Sequence, residues 1–126
     1  MKDLKALADT LVAACRDGRE DDLLSTIYAD DAASVEAVEM GQGRDSVGLD
    51  AIRGKHAWWN SAMDVSGSSV SDPMLHGDDR FAVIFEVQGR EKATGNTFDM
   101  KEVGVYTVAD GKIVREEFFY APNRQG

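Results

Sequence analysis

The sequence predicts a single α+β domain, residues 1–126, with a curved antiparallel sheet and three helices of the N-terminal half on its concave face. Three observations predict it. Apolar residues recur at helical spacing in three stretches of the first half. Apolar and polar residues alternate from Phe81 onward, as in a strand that packs on one side. A long hairpin then closes around Asp110-Gly111.

Composition narrows the class of protein. Hydrophobic residues make up 43% of the chain, which is typical of a folded domain. The net charge of −9 argues against partners such as nucleic acid or an anionic membrane, which need basic patches. The first ten residues carry two aspartates and no long apolar run, so no signal peptide is expected. A lone Cys15 excludes an internal disulfide and predicts a reducing, cytoplasmic location.

Three helices are predicted. The first spans 3–16, where an apolar stripe includes Cys15, interpreted as a small core residue. The second is short, about 21–29, and its apolar residues are Leu23, Leu24, Ile27 and Tyr28. The third spans 49–64, and Gly54 inside it suggests close packing against a neighbouring element. One stripe of the third helix carries His56 and Trp59, each of which is either a core residue or a base or ligand contact.

Strands are predicted between and after the helices. The first spans 32–40 and places Ser34, Glu36, Val38 and Met40 on one face; residues 41–46 follow as a loop. Residues 65–76 form a strand or irregular edge broken at Asp72-Pro73. A regular strand covers 81–88, in which Glu86 is either exposed or faces a pocket. A polar turn, 90–96, leads into the hairpin.

Two closures of the hairpin are possible, and they place different residues together. A two-residue turn at Asp110-Gly111 would put Glu102 and Tyr106 beside Glu117. A three-residue loop from Ala109 to Gly111 separates the charges better, so we prefer it. The face that it predicts consists of Met100, Glu102, Gly104, Tyr106 and Val108 with Val114, Glu116, Phe118 and Tyr120.

On that face two carboxylates stand among apolar and aromatic side chains. The preferred register sets Gly104 opposite Glu116 and makes Glu102 the diagonal neighbour, with no basic residue of the hairpin beside them. Unpaired carboxylates in such surroundings have raised pKa values, as a proton-transfer site needs. In the other interpretation each glutamate only binds a buried backbone group or a tyrosine hydroxyl.

Motifs for metals and cofactors are absent. Two histidines and one cysteine, widely spaced, do not make a zinc site, and no P-loop, Gly-x-Ser-x-Gly or EF-hand sequence occurs. Gly41-Gln42-Gly43 lacks the third glycine of a nucleotide fingerprint. We therefore predict no cofactor and no metal.

The order of elements and three short motifs resemble the NTF2-like superfamily, and within it the SnoaL-like and ketosteroid-isomerase-like proteins. The motifs are residues 27–32, 48–55 and 108–114. The resemblance implies a cone-shaped pocket between sheet and helices, and a homodimer that associates through the sheet. It also implies a general base at Glu36 and a second acid near Glu102. The helix tyrosine of the steroid isomerases has Leu11 or Val12 in its place, which argues against that activity.

Two functions follow as hypotheses. The first is a small-molecule enzyme, an acid–base isomerase, cyclase or dehydratase, with Glu36 as base, Glu102 and Glu116 as acid or sharing a proton, and His56 assisting. The alternative is a non-catalytic ligand-binding or dimerisation module. The residues predicted to contact the ligand are Trp59, Phe118, Tyr120, Tyr28 and Met40. In both cases the expected partners are a small molecule and a second copy of the chain.

Overall fold

The computed structural model describes residues 4–38 and 43–120. Met40 and residues 41–42 of the predicted 41–46 loop lie outside them. The elements are α1 (Leu4–Arg16), α2 (Glu20–Leu23), β1 (Tyr28–Val35), β2 (Asp45–Val47), α3 (Leu49–Ala62), β3 (Met63–Val70), β4 (Met74–His76), β5 (Arg80–Glu91), β6 (Thr97–Ala109) and β7 (Lys112–Phe119). Within this part of the chain no helix is long and apolar enough to cross a membrane.

The strands form one curved, open sheet in the order β2-β1-β7-β6-β5-β3, with β4 also paired to β5. Five pairings are antiparallel, as predicted. The pairing of β1 with β7 is parallel, so the sheet is mixed rather than purely antiparallel. The parallel pair brings Ser34 directly beside Glu116, which decides how the site described below is built.

Helix α1 closes the core on one face of the sheet. Its apolar stripe buries Leu7, Leu11 and Val12 against Phe81 of β5 and Ile113 of β7. Full burial of one such side chain contributes about 1.5–3 kcal/mol. The predicted first helix is confirmed, as is the place of Cys15, which packs half-buried against this core. Burial raises the pKa of the Cys15 thiol to about 12.

The second helix and the first strand differ from their predicted bounds. Helix α2 ends at Leu23, and Tyr28 begins β1 instead of ending a helix, because its backbone pairs with Ile113 in the sheet. Tertiary pairing overrides the local helical pattern here. The strand stops at Val35, five residues earlier than predicted. Residues 45–46, predicted as the end of the 41–46 loop, belong to the edge strand β2.

The observed hairpin has the two-residue turn of one predicted closure, and its residue faces are those of the other. Asp110 and Gly111 have φ of 53° and 76° and form a two-residue turn with Ala109 opposite Lys112, so the predicted three-residue loop is wrong. A bulge then inserts Val114, and the pairing continues with Tyr106 opposite Glu116. Because the bulge shifts the register by one residue, it restores the predicted face.

Gly104 leaves room for aromatic rings on that face and not for a carboxylate. It lies opposite Phe118, and not opposite Glu116 as predicted. A Cβ at this position would stand 3.0 Å from Phe85 and 3.1 Å from Phe118 and Tyr106. The missing side chain therefore lets three rings meet at the centre of the sheet.

Replacing Gly54 by Ala is expected to stabilise the protein. The predicted close packing at Gly54 is wrong, because the residue is exposed on α3 and a Cβ there would meet nothing within 4 Å. Alanine gains about 0.5–1 kcal/mol over glycine inside a helix, measured as the free energy of unfolding in urea. Gly89→Ala is the contrast, because its Cβ would stand 2.6 Å from the Asp64 carbonyl oxygen and must destabilise. A Gly54→Ala protein no more stable than wild type would contradict this account.

Candidate functional site

A cavity of 470 Å³ lies between the helices and the inner face of the sheet. Its walls are aromatic and acidic. Eight of the nine predicted site residues line it, namely Glu36, His56, Glu102, Glu116, Tyr28, Trp59, Phe118 and Tyr120. Met40 falls outside the described residues. The cavity thus collects the candidates at one place, while their roles stay predictions.

Glu116 is held from two sides at the floor of this cavity. It is 3% exposed, and it accepts hydrogen bonds from the Tyr28 hydroxyl and, at 2.7 Å, from the Ser34 hydroxyl. Both donors come from β1, because that strand runs parallel to β7. Glu116 is therefore not the unpaired carboxylate that the hairpin alone indicated; a tyrosine hydroxyl binds it, as in the alternative interpretation. Burial and the charge of Glu116 raise the Tyr28 pKa.

Lys55 enters the same site from α3 and joins the carboxylates. Its ammonium forms an ion pair with Glu36, donates to the Ser34 hydroxyl at 2.6 Å and lies 5.0 Å from the centre of the Phe118 ring. Tyr120 donates to the other oxygen of Glu36 at 2.6 Å. Burial and this hydrogen bond raise the Tyr120 pKa. Glu36 and Glu116 are thus linked through Lys55 and Ser34.

Glu102 differs from the other two glutamates. It lies on β6 opposite Phe85 and lines the cavity, and no described residue makes a hydrogen bond or ion pair with it. Burial raises the pKa of Glu102 from 4.5 to about 7; the charges of Glu36 and Glu116 also raise it, and Lys55 lowers it. Near neutral pH this carboxyl group therefore exists in both protonation states.

His56 and Trp59, whose roles the sequence does not decide, both line the cavity. The Nδ1 atom of His56 lies 2.5 Å from a carboxylate oxygen of Asp21 on α2. Trp59 contacts Phe98 edge to face, with ring centres 5.7 Å apart. His56 is therefore paired with an acid across the cavity wall and is not a residue of the apolar core.

The sequence did not identify Lys55, Ser34 or Asp21 as site residues, and it placed Tyr106 on the acidic face without assigning it a role in the site. For Lys55 a signal was present: it follows Ile52 by three residues and precedes Trp59 by four, so it lies on the apolar stripe of α3. A lysine on such a stripe needs a partner. Asp21 offered no comparable signal, because its pairing with His56 joins two helices that are distant in the chain.

A metal centre does not fit the residues that the structure describes, among which no three His, Cys, Asp or Glu side chains are grouped closely enough to hold an ion. The polar groups that line the cavity include carboxyl, hydroxyl, imidazole and ammonium groups.

Comparison with known proteins identifies the scaffold. No curated protein is significantly similar to the chain. The crystal structure of a protein from Mesorhizobium loti, provisionally named a SnoaL-like polyketide cyclase, is similar with a TM-score of 0.87 and 37% identity. That match covers 94% of this chain and 100% of the other.

Two more distant structures share the fold. A ketosteroid-isomerase-like protein from Catenulispora acidiphila, in complex with trimethylamine, has a TM-score of 0.69 and 17% identity, covering 91% of this chain and 85% of its own. TerC, co-crystallised with polyporic acid, has a TM-score of 0.67 and 23% identity, covering 93% and 88%. The sequence profile described as the SnoaL-like domain matches residues 3–120. The resemblance read from the sequence is thereby confirmed, and the chain belongs to the SnoaL-like family within the NTF2-like fold.

Proposed function

We propose that the chain is a small-molecule enzyme that moves a proton on its substrate, as an isomerase, cyclase or dehydratase, and that Glu102 carries the proton. The observation behind the proposal is that Glu102 lines the cavity without a hydrogen-bond partner among the described residues. Small molecules in two proteins of the same fold, trimethylamine and polyporic acid, support a ligand in this cavity.

Glu36, Glu102 and Glu116 have different roles in this proposal. Glu36 accepts from Lys55 and Tyr120, and Glu116 accepts from Tyr28 and Ser34, so their lone pairs are less available to a substrate proton. We therefore assign proton transfer to Glu102 and a supporting role to Glu36, which the family resemblance had suggested as base. A substrate C–H beside a carbonyl would give its proton to ionised Glu102, and neutral Glu102 would return it to another atom of the same molecule.

Deuterium exchange tests this proposal without knowledge of the natural substrate. Enolisable bicyclic ketones are incubated with the protein in D₂O, and NMR follows exchange of the proton beside the carbonyl. We expect exchange faster than in buffer for those ketones that bind, with a rate that rises with pH through about 7 as Glu102 ionises. Bound ketones that exchange no faster than in buffer would contradict the proposal.

Two substitutions should move the Glu102 pKa in opposite directions. Glu36→Gln removes a negative charge that raises it, so the pKa falls; Lys55→Met removes a positive charge that lowers it, so the pKa rises. Titration of the ¹³C-labelled carboxyl group by NMR measures both. Glu86→Gln, exposed on β5 away from the cavity, removes one charge and should leave the value unchanged. Shifts of the same sign for the two variants, or a wild-type value near 4.5, would contradict the assignment.

A second candidate function is ligand binding without chemistry. It is favoured by the hydrogen bonds of Glu36 and Glu116, each of which already has two internal donors, as expected of a structural network. The exchange experiment separates the two functions, because a tight ligand that shows no enhanced exchange would support binding alone.

We further propose a cytoplasmic homodimer. Phe119 is 51% exposed on the sheet face opposite the cavity, and its strand neighbour there is Val103, which in turn pairs with Ile84. This apolar row supports association of two sheets. Phe119→Arg should then convert a dimer into a monomer in analytical ultracentrifugation.

The cytoplasmic location in this proposal is supported by Cys15, because a lone cysteine fits a reducing compartment.

A further inference from the structure

We infer that the ligand of this cavity carries a positive charge, as a protonated or quaternary amine joined to an apolar body. The inference rests on the cavity being the functional site proposed above, but it does not depend on proton transfer by Glu102. Four features of the lining carry it: the paired state of the basic groups, the surplus of carboxylates, their convergence on one hydroxyl, and the aromatic walls.

The basic side chains of the cavity are already occupied. Among its described lining residues only Lys55 and His56 are basic. Lys55 forms its ion pair with Glu36, and His56 lies 2.5 Å from Asp21. Neither is free to bind an anionic ligand, and an anion would have to displace one of these carboxylates.

Three further carboxylates line the cavity without a cationic partner in the described chain. One side-chain oxygen of Glu20 is fully buried and receives no hydrogen bond. Glu102 has no hydrogen bond or ion pair, and Glu116 has only hydroxyl donors. A buried acceptor without a donor is destabilising, because it has lost its hydrogen bonds to water. A cationic ligand group would offset this destabilisation, by donating an N–H where it is a protonated amine and by charge attraction alone where it is quaternary.

These carboxylates converge on Tyr106. This side chain is 2% exposed and lines the cavity, and its hydroxyl has no hydrogen-bond partner among the described residues. It lies opposite Glu116 in the sheet and on the same strand face as Glu102. Burial raises the pKa of Tyr106, and the charges of Glu116, Cys15, Glu102 and Glu20 raise it further. The space beside this hydroxyl is therefore a favourable place for a positively charged ligand group.

The aromatic walls accept a cation. The ring of Phe118 already lies 5.0 Å from the Lys55 ammonium, and its neighbours Phe85 and Tyr106 stand with ring centres 6.3 Å away. Aromatic faces within about 6 Å attract ammonium groups, most strongly when water is excluded. The apolar remainder of the ligand would fill the rest of the 470 Å³.

Charge, and not size, distinguishes this ligand from a neutral or acidic one, so three probes with one bicyclic body test it. They are (2-naphthylmethyl)trimethylammonium, 2-naphthylmethanol and 2-naphthoate, measured by calorimetry at pH 8, where Glu102 is mainly ionised. We expect the cation to bind at least about tenfold more tightly than the alcohol, and the carboxylate to bind more weakly than the alcohol.

Variants locate the effect. Glu20→Gln and Glu102→Gln should each weaken cation binding by about three- to tenfold and change binding of the alcohol by less than about twofold. Glu86→Gln, the exposed control on β5, should change neither. Three results would each overturn the inference: the alcohol or the carboxylate binds as tightly as the cation, the cation does not bind, or Glu86→Gln weakens cation binding as much as Glu20→Gln does. Failure of the deuterium exchange would overturn proton transfer alone and leave the charge preference standing.

Discussion

The Glu102→Gln variant is expected to lose deuterium exchange by about 10²–10⁴-fold while it still binds the ketone. Glutamine keeps the shape and a hydrogen-bond acceptor but can neither take nor give the proton. The loss should therefore appear in kcat, with KM little changed. The measurement is the exchange rate by NMR for the ketone that wild type processes fastest. A variant that retains exchange within about threefold of wild type would assign the proton transfer to another group.

Stability provides the control for this variant. In wild type the unfolded chain releases the Glu102 proton above pH 4.5, whereas the folded protein keeps it until about pH 7. The folded state binds more protons in this window, so Glu102 lowers the free energy of unfolding as pH rises through it. Glutamine does not titrate, so the variant does not lose this stability as pH rises. Relative to wild type, Glu102→Gln should gain about 1–3 kcal/mol between pH 4 and pH 8, which rules out unfolding as the cause of lost exchange.

The hairpin shows how much of the site could be predicted from the sequence. Alternation of residue types placed Glu102, Tyr106, Glu116 and Phe118 on one face, and the structure confirms it. The individual partners were wrong by two residues, because neither closure that was considered contains both a two-residue turn and a bulge. The two-residue alternation of side chains along a strand determines which residues share a face. The register between strands depends instead on the backbone geometry of the turn and bulge, which composition does not encode.

The partners of the carboxylates could not be predicted from the hairpin. The donors to Glu116 come from Tyr28 and Ser34, which reach it through a parallel pairing between strands about eighty residues apart in the chain. Local patterns predicted Tyr28 at the end of a helix. Lys55 was detectable as a lysine on an apolar stripe, but its choice of Glu36 follows from tertiary packing. The acidic face was thus predictable, and the partners of its carboxylates were not.

Glu116→Ala is the second substitution with a large expected effect, and it acts on stability. It leaves the hydroxyls of Tyr28 and Ser34 without an acceptor, and these residues are only 6% and 0% exposed. Each unsatisfied buried group costs about 1–3 kcal/mol. We expect the free energy of unfolding to fall by about 2–4 kcal/mol, since the loss of a buried charge offsets part of the cost. Glu117→Ala, its half-exposed neighbour paired with Arg115, should stay within about 0.5 kcal/mol of wild type.

A double-mutant cycle with Tyr28→Phe decides whether the hydroxyl–carboxylate contact is the cause. In wild type the substitution removes a hydrogen bond to a charged group and should cost about 1.5–3 kcal/mol. In the Glu116→Ala background the hydroxyl has no acceptor to lose, so the same substitution should cost less than about 0.5 kcal/mol or stabilise the protein. Urea unfolding of the four proteins gives the coupling energy directly. If the two costs simply add, the hydrogen bond from the Tyr28 hydroxyl to Glu116 has no energetic role, and Glu116 contributes to stability through its other contacts.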